Sequence, residues 1–203
     1  MDLTPATELD AVNVILMDMG EAPINSLEGD LPLDASKARL VLHEISRAVQ
    51  ERGWFWNTET NTYPRDSEGK IPLPTNALAV SDDNRSQSRQ TQLSVRSGKL
   101  YRTERNNNGS VFDSAQVLEV TFFLPFEDLP SVARRYITIR AARVHQAREL
   151  GDEILLQNAS TEETIAYSQL RSDSNRNAKR SLKQTLSMSL ITDRYNQRTG
   201  AFT

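Results

Sequence analysis

Two histidines and two pairs of adjacent carboxylates are the side chains whose types could support catalysis or metal binding. His43 and His145 stand in separate segments, without an H-x-x-x-H spacing or a cysteine pair, whereas a zinc site needs several ligands at close spacing. We interpret both as structural or surface histidines. A glycosidase holds two carboxylates on opposite sides of its sugar, and adjacency in sequence says little about such a pair. Asp82-Asp83 and Glu162-Glu163 are therefore interpreted as solvated acids, with a glycan-degrading enzyme that uses Asp82 and a second acid as the alternative.

No motif for nucleotide binding or nucleophilic catalysis accompanies these residues. The chain lacks G-x-x-x-x-G-K-[ST], G-x-G-x-x-G and G-x-S-x-G, which are the local patterns of phosphate loops, dinucleotide sites and the α/β-hydrolase nucleophile. It also contains no cysteine, which excludes disulfides and thiol chemistry. We expect no cofactor, no metal and no enzymatic activity.

The length and composition predict one domain over residues 1–203, built on a modest core. Of the 203 residues, 37% are hydrophobic, so we expect parts of the chain to be extended, exposed or covered by partners. No stretch of eighteen apolar residues is present, and the acidic N-terminus lacks a basic signal-peptide region. The sequence therefore predicts neither a membrane span nor a secretory leader.

Charge is distributed unevenly along the chain. Residues 1–130 contain twelve Lys or Arg and twenty Asp or Glu, a net charge of −8. Residues 131–203 contain twelve and seven, a net charge of +5, which gives −3 for the whole chain. Opposed charged regions can pair head to tail between copies of one protein, and two solvated faces are the alternative.

The elements that would position these residues begin with two amphipathic helices, at about 5–19 and 35–52. Apolar residues at spacings of three and four form one stripe in each segment. Thr4 is the expected N-cap of the first helix, Pro5 its first residue and Gly20 its terminator. Asp34 is the expected start signal of the second, which stops at Gly53. We predict that the two helices pack as an antiparallel pair, with Val41 and Ile45 buried.

An aromatic run follows the second helix. Trp54, Phe55 and Trp56 form a strand-like segment. One interpretation is that they close an end of the helix pair. The other is a partner surface, because Trp is enriched at interface hot spots.

The middle of the chain, about 54–124, predicts a small antiparallel β region inserted between helices. Ser97-Gly98 between two short apolar runs indicates a hairpin, and 106–109 indicates a second turn. Residues 81–92 are polar and predict an exposed loop. The strongest strand pattern is Val117–Leu124, which ends at a proline.

Helical spacing returns at about 130–150 and 153–183, followed by an extended tail at 184–203. The predicted fold class is therefore α+β, a bundle of about four helices with a β insertion. Arg176, Lys179, Arg180 and Lys183 would share one face of the last helix. This basic stripe could neutralise phosphates or bind an acidic protein surface.

Several segments resemble podovirus tail tubular protein A, the head-to-tail adaptor of T7-like phages. The resemblance rests on Leu9–Leu16, on Met19–Gly29, and on Asp34–Arg39 with the helix that ends in Gly53-Trp54-Phe55-Trp56. It continues in Phe126-Glu127-Asp128-Leu129-Pro130. The family's Ile-Gly-Glu-Pro-Pro-Val run stands here as Met19–Ile24, and the C-terminal third departs most from the family.

The resemblance implies a structural virion protein, made in the host cytoplasm, that forms a ring of twelve copies. In the family the ring lies under the portal protein, binds the tail nozzle (tail tubular protein B) below and tail fibres at its side, and lets DNA pass through its centre. On that basis we expect partner or subunit contacts and channel-facing acids at separate positions. The expected contacts are Trp54, Trp56, Arg176, Lys179, Arg180 and Lys183; the expected channel acids are Asp82 and Asp83.

Overall fold

The protein is described by a computed structural model that covers residues 4–82, 92–103, 109–149 and 153–184, with side chains in the last range at 160–177. The described elements confirm the mixed α+β prediction with four α-helices and small antiparallel sheets. In chain order they are α1 (Glu8–Asp18), α2 (Leu33–Gln50), β1 (Thr58–Tyr63), β2 (Ala77–Asp82), β3 (Leu93–Arg96), β4 (Lys99–Arg102), β5 (Gln116–Phe122), a 3-10 turn (Phe126–Asp128), α3 (Ser131–Glu149) and α4 (Glu153–Gln184). Within these residues, no helix combines the length and apolar character that a membrane span requires.

The start of α1 differs from the prediction. The helix begins at Glu8, with Thr7 as its N-cap in place of Thr4. The Thr7 hydroxyl accepts a hydrogen bond from the Asp10 amide at 3.1 Å, and the Asp10 carboxylate accepts one from the Thr7 amide at 3.0 Å. This reciprocal capping box satisfies two helix-end donors, so it outweighs the preference of Pro5 for a first helical position.

The predicted terminator of α1 is confirmed. Gly20 has φ +78, a left-handed conformation that costs glycine little. Its amide donates to the Met17 carbonyl at 3.0 Å, and the next amide, from Glu21, donates to Leu16 at 2.9 Å. These two bonds close the last turn of the helix.

The start of α2 also differs. Pro32 precedes the helix without a side-chain cap, and Asp34, the predicted start signal, lies inside the first turn. There its carboxylate faces the positive end of the helix dipole, which is favourable without a capping hydrogen bond. At the other end α2 stops at Gln50, just before Gly53.

The helices pack around α3. Its first turn lies beside the start of α1, because Arg134 donates to the Ala6 carbonyl, and Gln146 near its end donates to Asp18 at the end of α1. Hence α1 runs parallel to α3. Lys37, near the start of α2, pairs with Glu149 at the end of α3, so α2 runs antiparallel to α3 and to α1, as predicted for the helix pair.

The main core fills the space between the four helices. Val41 and Ile45 are 4% and 6% exposed, which confirms their predicted burial. The apolar members are Ala11, Val12, Ile15, Leu16, Ala35, Ala38, Val41, Leu42, Ile45, Val49, Trp54, Phe126, Leu129, Ala133, Tyr136, Ile137, Ala141, Ala142, Ala166 and Leu170. Tyr167 packs at its edge.

The β region forms a three-stranded antiparallel sheet of order β1-β5-β2 and a separate β3-β4 hairpin. The hairpin is confirmed at its predicted turn, where Ser97 and Gly98 have φ 50 and 70. Such a pair of positive φ values matches the twist of the flanking strands. A second core underlies the sheet; its members are Ile71, Leu73, Leu100, Phe112, Leu118 and Val120.

The structure differs from the predicted β region in two details, and a third part of the prediction lies outside the described residues. The aromatic run forms a turn, and the strand after it, β1, starts only at Thr58. The first two residues of the predicted loop at 81–92, Ser81 and Asp82, belong to β2. Residues 83–91, most of the predicted turn at 106–109, and the tail from 185 onward lie outside the described residues.

Two buried amide side chains join the bundle to the sheet. Gln50 is 0% exposed; its amide nitrogen donates to the Leu124 carbonyl at 3.0 Å, and its oxygen accepts from the Leu124 amide at 2.8 Å. Asn57 donates to the carbonyls of Gln50 and Phe122, both at 2.9 Å. We call Gln50 and Asn57 the amide joint, because they tie the end of α2 to the end of β5.

Candidate interaction surfaces

The described residues contain no group of three or more His, Asp or Glu side chains arranged to hold a metal. His145 is 3% exposed on α3, and burial lowers its pKa below the ordinary 6.5. A neutral buried imidazole in a helix core fits the structural interpretation. His43 is exposed and lies in a polar cluster described next.

The Glu8 cluster consists of Glu8, Arg39, His43 and Glu127, and it ties α1 to α2 and to the 3-10 turn. One oxygen of the Glu8 carboxylate, Oε1, lies 2.7 Å from Arg39 Nε and 2.8 Å from His43 Nε2. The Glu8 amide donates to the Glu127 carboxylate at 3.0 Å. The first turn of α1 is therefore fixed by charge-assisted contacts on both sides.

The cluster sets the protonation of its acid. Burial of the Glu8 carboxylate opposes ionisation, but hydrogen bonds from His43 and Arg39 and their charges outweigh burial, so its pKa lies below the ordinary 4.5. Glu8 is thus ionised at neutral pH and neutralises bases within its own subunit. Sequence inspection missed this contact because the partners are 31 and 35 positions away.

Two hollows flank His43. One, of about 250 Å³, is lined by Glu8, Leu42, His43, Ser46, Phe123, Pro125, Phe126 and Glu127. The other, of about 390 Å³, is lined by Leu31, Ser36, Arg39, Leu40 and His43. The second hollow lies on the outer side of α2 and is bordered by exposed apolar surface.

That outer side of α2 exposes two leucines. Leu33 and Leu40 are each 70% exposed, and a spacing of seven residues places them on one face of the helix. On the other flank of the bundle, α4 exposes Ile165 at 51%. Because α4 packs on α3 and has no extensive contact with α2 among the described residues, the two apolar flanks lie on separate helices.

The three aromatic residues of the turn after α2, Trp54, Phe55 and Trp56, differ in their exposure. Trp54 lies in the main core, where its indole N–H donates to the Val49 carbonyl at 2.8 Å. Trp56 is half-buried and stacks on Trp54 with ring centroids 6.4 Å apart. Phe55 is 43% exposed, so within this turn it is the aromatic residue most accessible to a partner. The predicted contacts in this turn were the two tryptophans and did not include Phe55.

The predicted channel acids are only partly described. Asp82 is half-buried at the end of β2, opposite Leu118, while Asp83 lies outside the described residues. The nearest acid along the sheet is Glu119, which pairs with Ser81. Side chains alternate along a strand, so Glu119 and Asp82 point to opposite faces of the sheet and do not form a facing carboxylate pair.

The basic stripe falls on the described backbone of α4, so its four positions share one helix face. Arg176 is exposed. The side chains of Lys179, Arg180 and Lys183 lie outside the described residues. What the stripe binds stays a prediction.

Many charges of the two opposed regions are already paired within the subunit. Arg140 and Arg143 contact Glu163, and Arg148 contacts Glu44 at 2.8 Å. In the acidic N-terminal region, Glu8 pairs with Arg39. The charges left for an interface between copies are therefore fewer than the net values suggest.

Comparison with known proteins shows the family to which the chain belongs. A family model described as tail tubular protein matches residues 9–180. A relative, tail tubular protein A of Klebsiella phage KP34, is 29% identical over 155 residues, which cover 76% of this chain and 80% of the relative. The match of the family model spans nearly all of α1, then α2, both sheets, α3 and most of α4. The chain therefore belongs to the tail tubular protein family.

Proposed function

We propose that this chain is the head-to-tail adaptor subunit of a short-tailed phage virion. Twelve copies form a ring that joins the portal protein to the tail nozzle, offers its side to tail fibres and lets DNA pass during ejection. The family match over residues 9–180 is the observation that supports this proposal most. The protein acts by binding neighbours, without a catalytic step, and is made in the host cytoplasm before it enters the virion.

Two flanks of the helix bundle support a ring of identical copies. A closed ring uses a heterologous contact, in which one surface of a subunit meets a different surface of the next. The leucine flank (Leu33 and Leu40 on α2) and the Ile165 flank on α4 are exposed apolar surfaces on separate helices. Contiguous exposed apolar surface on a soluble domain is typical of interaction sites. We assign these two flanks to neighbouring subunits.

The charged groups contribute to the same ring as a weaker, polar rim. Exposed ion pairs contribute about 0–1 kcal/mol each, and several candidates already pair inside the subunit. High salt should therefore weaken the ring gradually without dissolving it. The remaining acids of the N-terminal region would meet Arg176 and its neighbours on the next copy.

The lumen is proposed to repel DNA. A surface rich in Lys and Arg would gain affinity for phosphates by counterion release and retain the duplex. We place Asp82 and Asp83 at the channel and the basic stripe against the portal or a neighbouring subunit.

The flank assignment is tested by Leu40→Arg, which inserts a charge into the proposed contact. We expect loss of rings in sedimentation velocity with a folded monomer remaining, because Leu40 is exposed in the subunit. Met17→Arg is the matched control, since Met17 is also apolar and 55% exposed but lies on α1. Leu40→Arg protein that forms rings as readily as Met17→Arg protein would refute the assignment.

A further inference from the structure

The cavity of about 250 Å³ where α1, α2 and the segment after β5 meet, which we call the Glu8 hollow, has an apolar wall. The wall consists of Leu42, Phe123, Pro125 and Phe126. Leu42 and Phe126 belong to the main core, with 1% and 7% exposure, so their positions are fixed by packing. The hollow therefore has a preformed apolar floor.

Two carboxylates line the same hollow, and each has one oxygen to spare. Glu8 Oε1 receives both Arg39 and His43, and Glu127 Oε1 accepts the Glu8 amide. Their Oε2 atoms have no hydrogen-bond partner within the described part of the chain. No lysine or arginine is among the described lining residues, so the hollow attracts a cation and repels an anion.

The size of the hollow indicates a side chain as its ligand. Pockets for small-molecule ligands usually measure about 300–1,000 Å³, and this one is smaller. Arginine and lysine cover apolar surface with their stems and keep a charged head at a polar rim. The guanidinium of arginine carries five donors in a fixed fork and can reach two acceptors, whereas the lysine ammonium acts as a point charge. An arginine side chain therefore fits the apolar floor and the two free carboxylate oxygens.

The Glu8 hollow adjoins the leucine flank. His43 lines both this hollow and the larger one beside it, which Leu40 also lines. Along α2, Ser46 in the wall of the Glu8 hollow follows Leu40 by six residues, or about 9 Å. A neighbouring subunit that covers Leu40 therefore comes within side-chain reach of the Glu8 hollow.

The Ile165 flank, which we assign to the facing subunit, carries an arginine at the same spacing. Arg171 follows Ile165 by six residues on α4, again about 9 Å. Its side chain is exposed and has no ion pair within the described part of the chain. Arg176 is exposed as well, but it lies about 16.5 Å from Ile165 along the helix. The spacing therefore favours Arg171 as the occupant.

We propose that the Glu8 hollow is a binding site for Arg171 of the neighbouring subunit. The guanidinium lies between the carboxylates of Glu8 and Glu127, and the stem of the arginine covers the apolar floor. This inference rests on the proposed ring and adds to it one specific polar contact between copies. It also gives the Glu127 carboxylate a function beyond its bond to the Glu8 amide.

Charge exchange tests the contact in the full-length chain. Glu127→Arg places two cations opposite each other, so we expect the protein concentration at which half of the chains are in rings to rise about tenfold. Arg171→Glu, which brings a third carboxylate to the hollow, should have a similar effect. The variant with both changes should recover the wild-type value, because a cation and an anion again face each other. Sedimentation velocity measures each value.

Three controls separate this contact from other effects. Asp128→Arg adds the same charge at the next residue, which is not among the described lining residues, and should change assembly little. Glu127→Arg combined with Arg176→Glu tests the other exposed arginine and should give no recovery. Glu127→Gln keeps an acceptor for the Glu8 amide and should still weaken assembly, because the contact depends on the charge.

The hollow can also be tested alone, in the full-length Arg171→Glu chain, which leaves it open. We would titrate this chain with N-acetyl-arginine amide and with N-acetyl-citrulline amide, which has a similar shape and no charge, and follow the backbone NMR signals of Leu42 and Ser46. We expect saturable shifts with the arginine probe and binding about tenfold weaker with the citrulline probe. Adding Glu127→Gln should remove this difference.

Three results would overturn the inference. They are no recovery when Glu127→Arg and Arg171→Glu are combined, recovery with Arg176→Glu instead, and equal binding of the arginine and citrulline probes. Rings that assemble normally in all of these variants would reject the contact but leave the adaptor proposal intact. A chain that binds the arginine probe at the hollow but builds no rings would reject the adaptor proposal and retain the arginine site.

Discussion

Two single side chains, those of the amide joint, connect the helix bundle to the sheet. Gln50 and Asn57 are polar residues with 0% and 2% exposure, and both bind backbone groups, with one further bond from Gln50 to the Ser46 hydroxyl. Their amides hold the end of α2, the aromatic turn and the end of β5 together. Hydrophobic periodicity cannot find such residues, because their partners, Leu124 and Phe122, are remote in sequence.

Replacing Gln50 by leucine tests the joint. The change roughly keeps the side-chain volume but leaves the half-buried amide and carbonyl of Leu124 without their side-chain partner, and an unsatisfied group inside the protein costs about 1–3 kcal/mol. We expect a loss of about 2–4 kcal/mol in the free energy of unfolding by urea. Asn61→Ala is the control, since Asn61 is exposed and its amide contacts the side chains of Glu59 and Tyr63 at the surface of the sheet. Equal stability of Gln50→Leu and wild-type protein would show that the joint is not a structural element.

The Glu8 cluster predicts a defined pH dependence. Hydrogen bonds and charges lower the pKa of Glu8 in the fold below the ordinary 4.5, so its contribution to stability is present above pH 4.5 and is lost as the pH falls through the folded value. We therefore expect Glu8→Gln to destabilise the protein at pH 7, with a difference from wild type that shrinks below pH 4.5. A difference that is independent of pH from 3 to 7 would contradict the assignment.

At the scale of elements, α2 has two faces with separate tasks. Ile45 belongs to the main core, and truncation to alanine should cost about 2–5 kcal/mol, the usual range for a buried aliphatic side chain. Leu40→Ala is the matched control on the outer face, where 70% exposure predicts little change in stability. Thermal unfolding measures both variants. A larger loss for Leu40→Ala than for Ile45→Ala would mean that the faces are assigned the wrong way round.

The elements differ in how well the sequence predicts them. Strand β5 and helix α3 can be predicted because each buries several apolar residues, and these residues form a recognisable pattern in the sequence. Strand β1 was not, since Thr58–Tyr63 is mostly exposed and has no apolar alternation. The caps of α1 and α2 were misplaced because Thr4, Thr7 and Asp34 are all good cap residues, and only the reciprocal bond with Asp10 selects Thr7.

At the scale of the whole molecule, the outer surfaces decide what the subunit assembles with. The sequence lacks the phosphate-loop, dinucleotide-binding and hydrolase motifs. The family resemblance is confirmed by the match of the family model over residues 9–180. The individual partner contacts could not be derived in the same way, because an interface depends on the shapes of two folded surfaces, which a sequence pattern does not give. Phe55, Leu33 and Leu40 became candidates only once their exposure was known.

The basic stripe gives a prediction at this scale. Replacing Arg176, Lys179, Arg180 and Lys183 together by glutamate should block attachment of the adaptor to DNA-filled heads, because an acidic partner would then be repelled. Attachment is measured by co-sedimentation with tailless heads, and the control is the same chain with these positions changed to glutamine. Variant particles that assemble normally but eject DNA abnormally would place the stripe in the channel.

End-on electron microscopy of the purified full-length protein tests the central claim, that this chain builds a ring which joins the head to the tail. We expect closed rings of twelve copies with an open centre wide enough for duplex DNA. We also expect these rings to persist in moderate salt, because the leucine flank contributes apolar contacts that salt does not screen. A protein that stays monomeric at high concentration, or that forms open filaments in place of rings, would show that the chain is not a ring-forming adaptor.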